Sequence, residues 1–253
     1  MRMKIFRYDG DGSDYHYDTF DLPEREGMTV LDALFYVQDN LDDSISFRYS
    51  CRGAVCGSCA MLINKVPRLA CRTQMKDLVE GKLQADIDHY KALNEGTELE
   101  EGTVLVEPLP HLKVKKDLIV DMEKFFENYR KIKPTFRPKD DNPKKERMMD
   151  KDDVRELEKY TNCILCASCF GGCPVNGEDE EYLGPAALAK LYRFNIDPRE
   201  PDDDYRLELA DLEEGWWDCD FHLNCKIVCP KDVPPNEGIG KARAELQKKD
   251  KGE

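Results

Sequence analysis

Residues 50–71 read SCRGAVCGSCAMLINKVPRLAC, and the spacing of their four cysteines decides how the first half of the chain is read. Cys51, Cys56 and Cys59 follow Cys-x₄-Cys-x₂-Cys, and Cys71 comes eleven residues later, which is the plant-type [2Fe–2S] ferredoxin spacing. Three thiolates on one tight loop can wrap two irons while the fourth arrives from a neighbouring strand. Gly53 and Gly57 supply backbone freedom and close approach, so that main-chain N–H groups can point at cluster sulfurs. A zinc knuckle is the competing reading, but structural zinc favours two Cys-x₂-Cys pairs and this loop offers one.

Outward from that loop, residues 163–174 (CILCASCFGGCP) give Cys-x₂-Cys-x₂-Cys-x₃-Cys-Pro, the run of bacterial two-cluster ferredoxins. Residues 219–230 (CDFHLNCKIVCP) repeat it with His222 where the second cysteine is expected. In such pairs the fourth cysteine of each run crosses to the other cluster. One [4Fe–4S] cluster then takes Cys163, Cys166, Cys169 and Cys229, and the other centre keeps Cys173, Cys219 and Cys225. Three thiolates suit a [3Fe–4S] cluster. The alternative is a [4Fe–4S] cluster with His222 as fourth ligand, and a third reading leaves His222 packed or facing solvent. All eleven cysteines are used.

The rest of the composition agrees. The chain has 253 residues and a formal net charge of −14, so it has no electrostatic reason to hold a phosphate backbone and no nucleic-acid partner is expected. No run of roughly 18 apolar residues is present, as a membrane span needs. The first nine residues read as a strand rather than a leader, so a cytosolic protein is expected. An odd cysteine count in a reducing compartment points to metal, not disulfides.

Ninety-one residues without cysteine separate the first two groups, so two cysteine-bearing units are expected, at 1–112 and 113–253. Residues 113–147 form a connector with 12 basic and 7 acidic side chains, and Pro134, Pro138 and Pro143 mark 133–145 as a linker. Strands are expected at 4–8 and 15–20 as a hairpin, at 61–64 and at 104–106, with a turn around Pro67. Thr29 is a plausible cap for a helix burying Val30, Leu31, Leu34 and Val37. Helical spacing also marks Ile119, Met122 and Phe126 within 117–130, and further helices are expected at 185–194 and 239–248. Asp9, Asp11, Gly12 and Asp14 fail the EF-hand order and fit a hairpin turn better. His16, His89 and His111 lack clustered partners, and Trp216 and Trp217 read as core or interface.

With the cysteine groups in place, the chain resembles the iron–sulfur subunit of succinate dehydrogenase and fumarate reductase, the complex II family. The resemblance runs through the first loop, DLIVDM at 117–122, CILCASC…GCP, GPAALAKLYRF at 184–194 and WWDC…CPKDVPP at 216–235. It implies an α+β chain, with an N-terminal β-grasp plant-type [2Fe–2S] ferredoxin domain followed by an α-helical bacterial-ferredoxin-like domain. It also implies a linear wire of [2Fe–2S], [4Fe–4S] and [3Fe–4S] centres. The partners implied are a flavoprotein subunit carrying FAD, membrane anchor subunits and a quinone, menaquinone or ubiquinone, near Pro174, His222 and Arg243. The implied location is peripheral, on the cytoplasmic face of a prokaryotic cell membrane. No residue here could abstract hydride or proton from an unactivated carbon, so bond chemistry belongs to the partner's flavin.

The chain departs from the family at three points. Residues 77–102 look inserted, no Trp follows Cys173–Pro174 within 174–185 (PVNGEDEEYLGP), and His222 replaces a small apolar residue. A soluble fumarate reductase that uses no quinone, and a free-standing polyferredoxin, are the competing readings.

Overall fold

In the computed structural model of the chain, strands β1 (Arg2–Arg7) and β2 (His16–Asp21) pair antiparallel, with Met3 opposite Phe20 and Ile5 opposite Asp18. The structure describes residues 1–10, 12, 14–83, 98–140 and 143–252. Asp11, His89 and the larger part of the expected 77–102 insertion lie outside the described residues. Strand β1 also pairs in parallel with the strand at Thr103–Glu107, which completes a five-stranded sheet with Ala60–Ile63 and Val66–Leu69. Alternation in β1 sends Met3 and Ile5 inward, and the Thr103–Glu107 strand is buried along its whole length.

Helix α1 (Val30–Asn40) starts as its sequence dictates. The Thr29 hydroxyl accepts from the Asp32 N–H at 3.1 Å and the Asp32 carboxylate accepts from the Thr29 N–H at 3.0 Å, a complete capping box. Val30, Leu31, Leu34 and Val37 are all buried on its inner face. Removing each such side chain from water contributes about 1.5–3 kcal/mol before entropy is counted.

The turn expected around Pro67 lies at Asn64 and Lys65 instead, both in the left-handed region (φ 47° and 63°). A two-residue hairpin loop needs positive φ at both central positions, and Asn tolerates it better than most residues. Pro67 is paired opposite Leu62 in the edge strand, where a missing N–H costs no ladder bond.

Helical periodicity at 117–130 is also overridden in part. Val114–Lys116 and Ile119–Val120 form a small hairpin, and the helix begins at Glu123, running Glu123–Lys131. Asp117, at φ 44° and almost wholly buried, is the reason. Its carboxylate accepts from Arg7 Nε at 3.2 Å, from the Tyr8 N–H at 3.0 Å and from the Ser46 N–H at 2.8 Å, which ties this stretch to β1. The compact units are Met1–Met122 with Ile164–Gly172, and Glu123–Cys163 with Cys173–Glu253.

The second unit is helical. Its core gathers Tyr160 from Lys151–Thr161, Leu188, Leu191 and Tyr192 from Pro185–Asn195, and Ile239 and Ala242 from Pro235–Asp250. The Tyr160 and Tyr192 rings meet edge-on at 5.3 Å. Trp216 is fully buried there and donates to the Leu207 carbonyl at 2.9 Å, so it is core, while Trp217 donates to Asp211 at 2.7 Å. The described residues of the expected linker are irregular in backbone yet pinned. Buried Arg206 pairs with Glu200 at 2.8 Å and donates to the carbonyls of Lys133 and Thr135 at 2.9 and 2.6 Å. The other Glu200 oxygen accepts from the Arg137 N–H at 3.0 Å.

Candidate metal centres

The loop carrying Cys51, Cys56 and Cys59 is wound so that amide hydrogens converge on sulfur. Cys51 Sγ accepts from the N–H groups of Gly53, Val55 and Cys56 at 3.3–3.4 Å, Cys56 Sγ from Cys51, and Cys71 Sγ from Ala54 at 3.3 Å. Left-handed backbone at Arg52, Ala54 and Gly57 (φ 56°, 56° and 74°) makes this winding possible. Gly53 is not in that region, so of the two loop glycines only Gly57 is conformationally required. Burial opposes ionisation of Cys56, but the Ser58 hydroxyl and the Cys51 and Ser58 N–H groups outweigh it and bring the thiol down to about 6. Burial pushes the Cys59 thiol up to about 12. A sulfur cradle with amide donors already aimed at it is the arrangement an iron–sulfur group needs. Arg52 lies over the rings of Phe35 and Tyr49, at 4.6 and 5.3 Å from their centroids.

The two bacterial-type runs share one backbone course. Leu165 and Ala167 take positive φ two and four residues after Cys163, and Phe221 and Leu223 do so two and four residues after Cys219. A single helical turn follows at the same offset in each, Ser168–Gly171 and Asn224–Ile227. His222 thus stands at the position Cys166 holds in the other run, and Asn224 at the position of Ser168. Cys166 Sγ lies 3.3 Å from the Ser168 hydroxyl. Cys166 and Cys169 belong to the first compact unit, and Cys163 and Cys229 to the second. Within the second unit Cys229 Sγ accepts from the Val233 N–H at 3.3 Å, and burial raises its thiol.

Cys173, Cys219 and Cys225 line a single cavity together with Pro174 and His222. Burial pushes Cys173 up to about 11 and Cys225 up to about 12, and raises Cys219 as well. Backbone N–H groups of Asn176 and Val175 oppose this at Cys173, that of Phe221 at Cys219, and those of Asn236 and Lys226 at Cys225. Three further residues of the lining bury polar side-chain atoms: Asn224 Nδ2 and Asn236 Oδ1 have no hydrogen-bond partner, and the Tyr182 hydroxyl faces only the sulfur of Cys219. The Tyr182 phenol is held well above its ordinary value, first by burial and then by Cys219, Cys173 and Cys225 beside it. Two of these groups, the Tyr182 hydroxyl and Asn224 Nδ2, are donors, and a sulfur-rich group in this cavity would supply acceptors for both.

Arg243 has another task. Its Nε donates to the Trp216 carbonyl at 2.5 Å and an Nη to the Cys219 carbonyl at 2.9 Å, while its plane covers the Phe221 ring at 4.9 Å. It clamps the loop that carries Cys219 and does not line the cavity. Among the described residues no three His, Cys, Asp or Glu side chains are placed to hold a single metal ion, and Asp9 and Asp14 are no exception. Exposed His16 lies 3.6 Å from Asp18, and partly buried His111 has its pKa lowered by burial. Sequence reasoning missed Tyr182 and Asn224. Equal offset from the first cysteine of each run could have flagged Asn224, but nothing in the sequence marks Tyr182.

Two family models match the chain, a 2Fe-2S iron-sulfur cluster binding domain over residues 2–127 and a 4Fe-4S dicluster domain over 158–233. The fumarate reductase iron-sulfur subunit of Haemophilus influenzae is 34% identical, covering 98% of this chain and 93% of its own length. The chain belongs to the iron–sulfur subunits of fumarate reductase and succinate dehydrogenase. The mitochondrial succinate dehydrogenase [ubiquinone] iron-sulfur subunit of Dictyostelium discoideum is likewise 34% identical, over 94% of this chain and 80% of that one. A chain of the Mycobacterium smegmatis Sdh1 complex in the apo form superposes with a TM-score of 0.79 at 26% identity, covering 98% of this chain and 95% of that one. As a member of this family, the chain is the electron-carrying part of an oxidoreductase, with a 2Fe-2S-binding domain followed by a dicluster domain. Among the described residues no helix is long and apolar enough to cross a membrane.

Proposed function

We propose that this chain conducts single electrons between the FAD of a flavoprotein subunit, where succinate and fumarate interconvert, and a membrane quinone. Its ligand sets are Cys51, Cys56, Cys59 and Cys71 for [2Fe–2S], Cys163, Cys166, Cys169 and Cys229 for [4Fe–4S], and Cys173, Cys219 and Cys225 for [3Fe–4S]. When bound, such clusters take up and release one electron at a time. The single observation that carries the reading is the shared backbone of the two bacterial-type runs, with His222 standing at the position of Cys166 and leaving three cysteines around one cavity.

The first unit is read as a β-grasp of plant-ferredoxin type, which the mixed five-stranded sheet with α1 supports. Its flavoprotein-facing edge is the Cys51 loop, where Cys51 and Val55 are exposed. Membrane anchor subunits meet the loop of the third site, where Phe221, Leu223 and Ile227 expose apolar side chains, and the quinone binds near Pro174 and His222 with Arg243 holding the loop. The complex is peripheral to the cytoplasmic face of a prokaryotic cell membrane. A soluble reductase without quinone is the second reading, favoured by the Trp-free 174–185 segment and by His222.

The test is anaerobic purification of the native complex through this chain, with low-temperature EPR of oxidised and reduced protein. Three distinct centres, bound flavin and a need for detergent are expected. Absence of a reducible [2Fe–2S] signal overturns the assignment of the first loop. Recovery of full activity without detergent favours the second reading.

A further inference from the structure

Two buried donors line the cavity of Cys173, Cys219 and Cys225, and neither has an oxygen or nitrogen acceptor. Tyr182 is fully buried, and its hydroxyl faces the sulfur of Cys219 and no oxygen or nitrogen acceptor. Asn224 is 5% exposed and its Nδ2 is unpaired. Native interiors rarely leave a buried donor unsatisfied, and two lining one hollow point to an acceptor that belongs inside it. The comparison between the two runs explains why Asn224 is free. At the equivalent offset Ser168 meets the sulfur of Cys166, whereas Asn224 follows His222 and has no such thiol before it. The hollow is otherwise lined by the three cysteines, by apolar side chains such as Val175 and Ile239, and by Asp220 and His222 of the loop that carries Cys219. Asn236 is also unpaired, but through its oxygen, and an acceptor gains nothing from sulfur.

We propose that Tyr182 and Asn224 donate hydrogen bonds to sulfurs of the centre held by Cys173, Cys219 and Cys225, and so raise its reduction potential. The inference rests on the reading that these three cysteines hold an iron–sulfur centre, of three irons or four. A donor beside a cluster sulfur favours the reduced form, which carries one more negative charge, over the oxidised form. Both residues act as tuning residues. Neither is needed as a ligand.

The experiment is a mediated redox titration of the complex purified through this chain, followed by EPR. In Tyr182→Phe, which removes only the hydroxyl, the midpoint of this centre falls while those of the other two centres stay where they are. Asn224→Leu lowers the same midpoint. An unmoved midpoint in Tyr182→Phe, or an equal shift of all three centres, overturns the proposal. If Tyr182→Phe assembles no third centre, 3,5-difluorotyrosine at position 182 decides, being a stronger donor of nearly the same shape. An upward shift supports the proposal and no shift overturns it. A wild-type complex that lacks any third centre by iron count and EPR removes the ligand assignment and this proposal together. A present centre with an unmoved midpoint removes only the proposal.

Discussion

Gly57 lies so close to Cys166 that a β-carbon built on the glycine would stand 2.7 Å from the Cβ of that cysteine and 2.9 Å from its Cα. The loop of the first cysteine group is thus packed, backbone to side chain, on a residue of the second. Gly57 also has φ +74°, where a side chain is strained whatever the space. Gly57→Ala is expected to cost about 1 kcal/mol or more from the backbone alone, with the contact added. Gly53→Ala, whose β-carbon would meet only a carbonyl at an ordinary 3.7 Å, is expected to be close to neutral. Thermal unfolding and cluster content of the two variants make the comparison, and equal behaviour would sink the packing argument.

Arg206 and Glu200 form an ion pair in which each side chain is 3% exposed. Arg206→Ala leaves a buried carboxylate without its partner, a loss of about 3–5 kcal/mol. It also frees the Lys133 and Thr135 carbonyls. Limited proteolysis is expected to begin cutting near residues 133–137, with a matching fall in melting temperature.

Thr29→Ala removes the acceptor for the Asp32 N–H and the hydroxyl that donates to the Asp32 carboxylate, while the main-chain N–H at position 29 keeps its half of the capping box. A loss of about 1 kcal/mol is expected in urea unfolding, and Thr29→Ser should recover most of it.

His222→Cys completes the third run with a thiolate at the position of Cys166. The expected outcome is replacement of a three-iron EPR signal by that of a cubane with a lower potential, because a thiolate adds negative charge. His222→Ala is expected to leave the wild-type centre intact. Loss of a four-iron signal in the alanine variant would instead assign His222 as a ligand.

Local chemistry was legible where one residue type fixed one conformation. The Thr29 cap, the inward face of α1 and the β1–β2 hairpin stand where periodicity put them, since each depends on neighbours in sequence. Pro67 misled because a proline marks a turn only when no sheet edge can hold it, and the topology supplies that edge. Ile119 misled because Asp117, a residue of the connector, is claimed by Arg7 and Tyr8 more than a hundred residues away. The linker looked free for the same reason: Arg206 and Glu200, which pin it, come later in the chain. At the sites, the spacing of cysteines announces itself, because ligand geometry constrains close neighbours. Tyr182 does not, since its importance lies in being buried beside sulfurs from distant segments.

The assignment of Ile164–Gly172 to the first compact unit, with Cys163 and Cys173 in the second, means that the chain passes between the units at 122/123, 163/164 and 172/173. A fragment ending at Met122 would lack Gly171, which lies against Leu109 and Pro110, and Cys166, which lies against Gly57. Such a fragment is an incomplete fold rather than a detachable ferredoxin. A single nick at the first junction leaves residues 1–122 without a covalent link to the excursion, so that packing such as that at Gly57 and Cys166 alone holds the first unit together. Recombination that exchanges one half of this chain for a foreign half would have to carry the nine-residue excursion along with the half it packs in, although that excursion is encoded in the other.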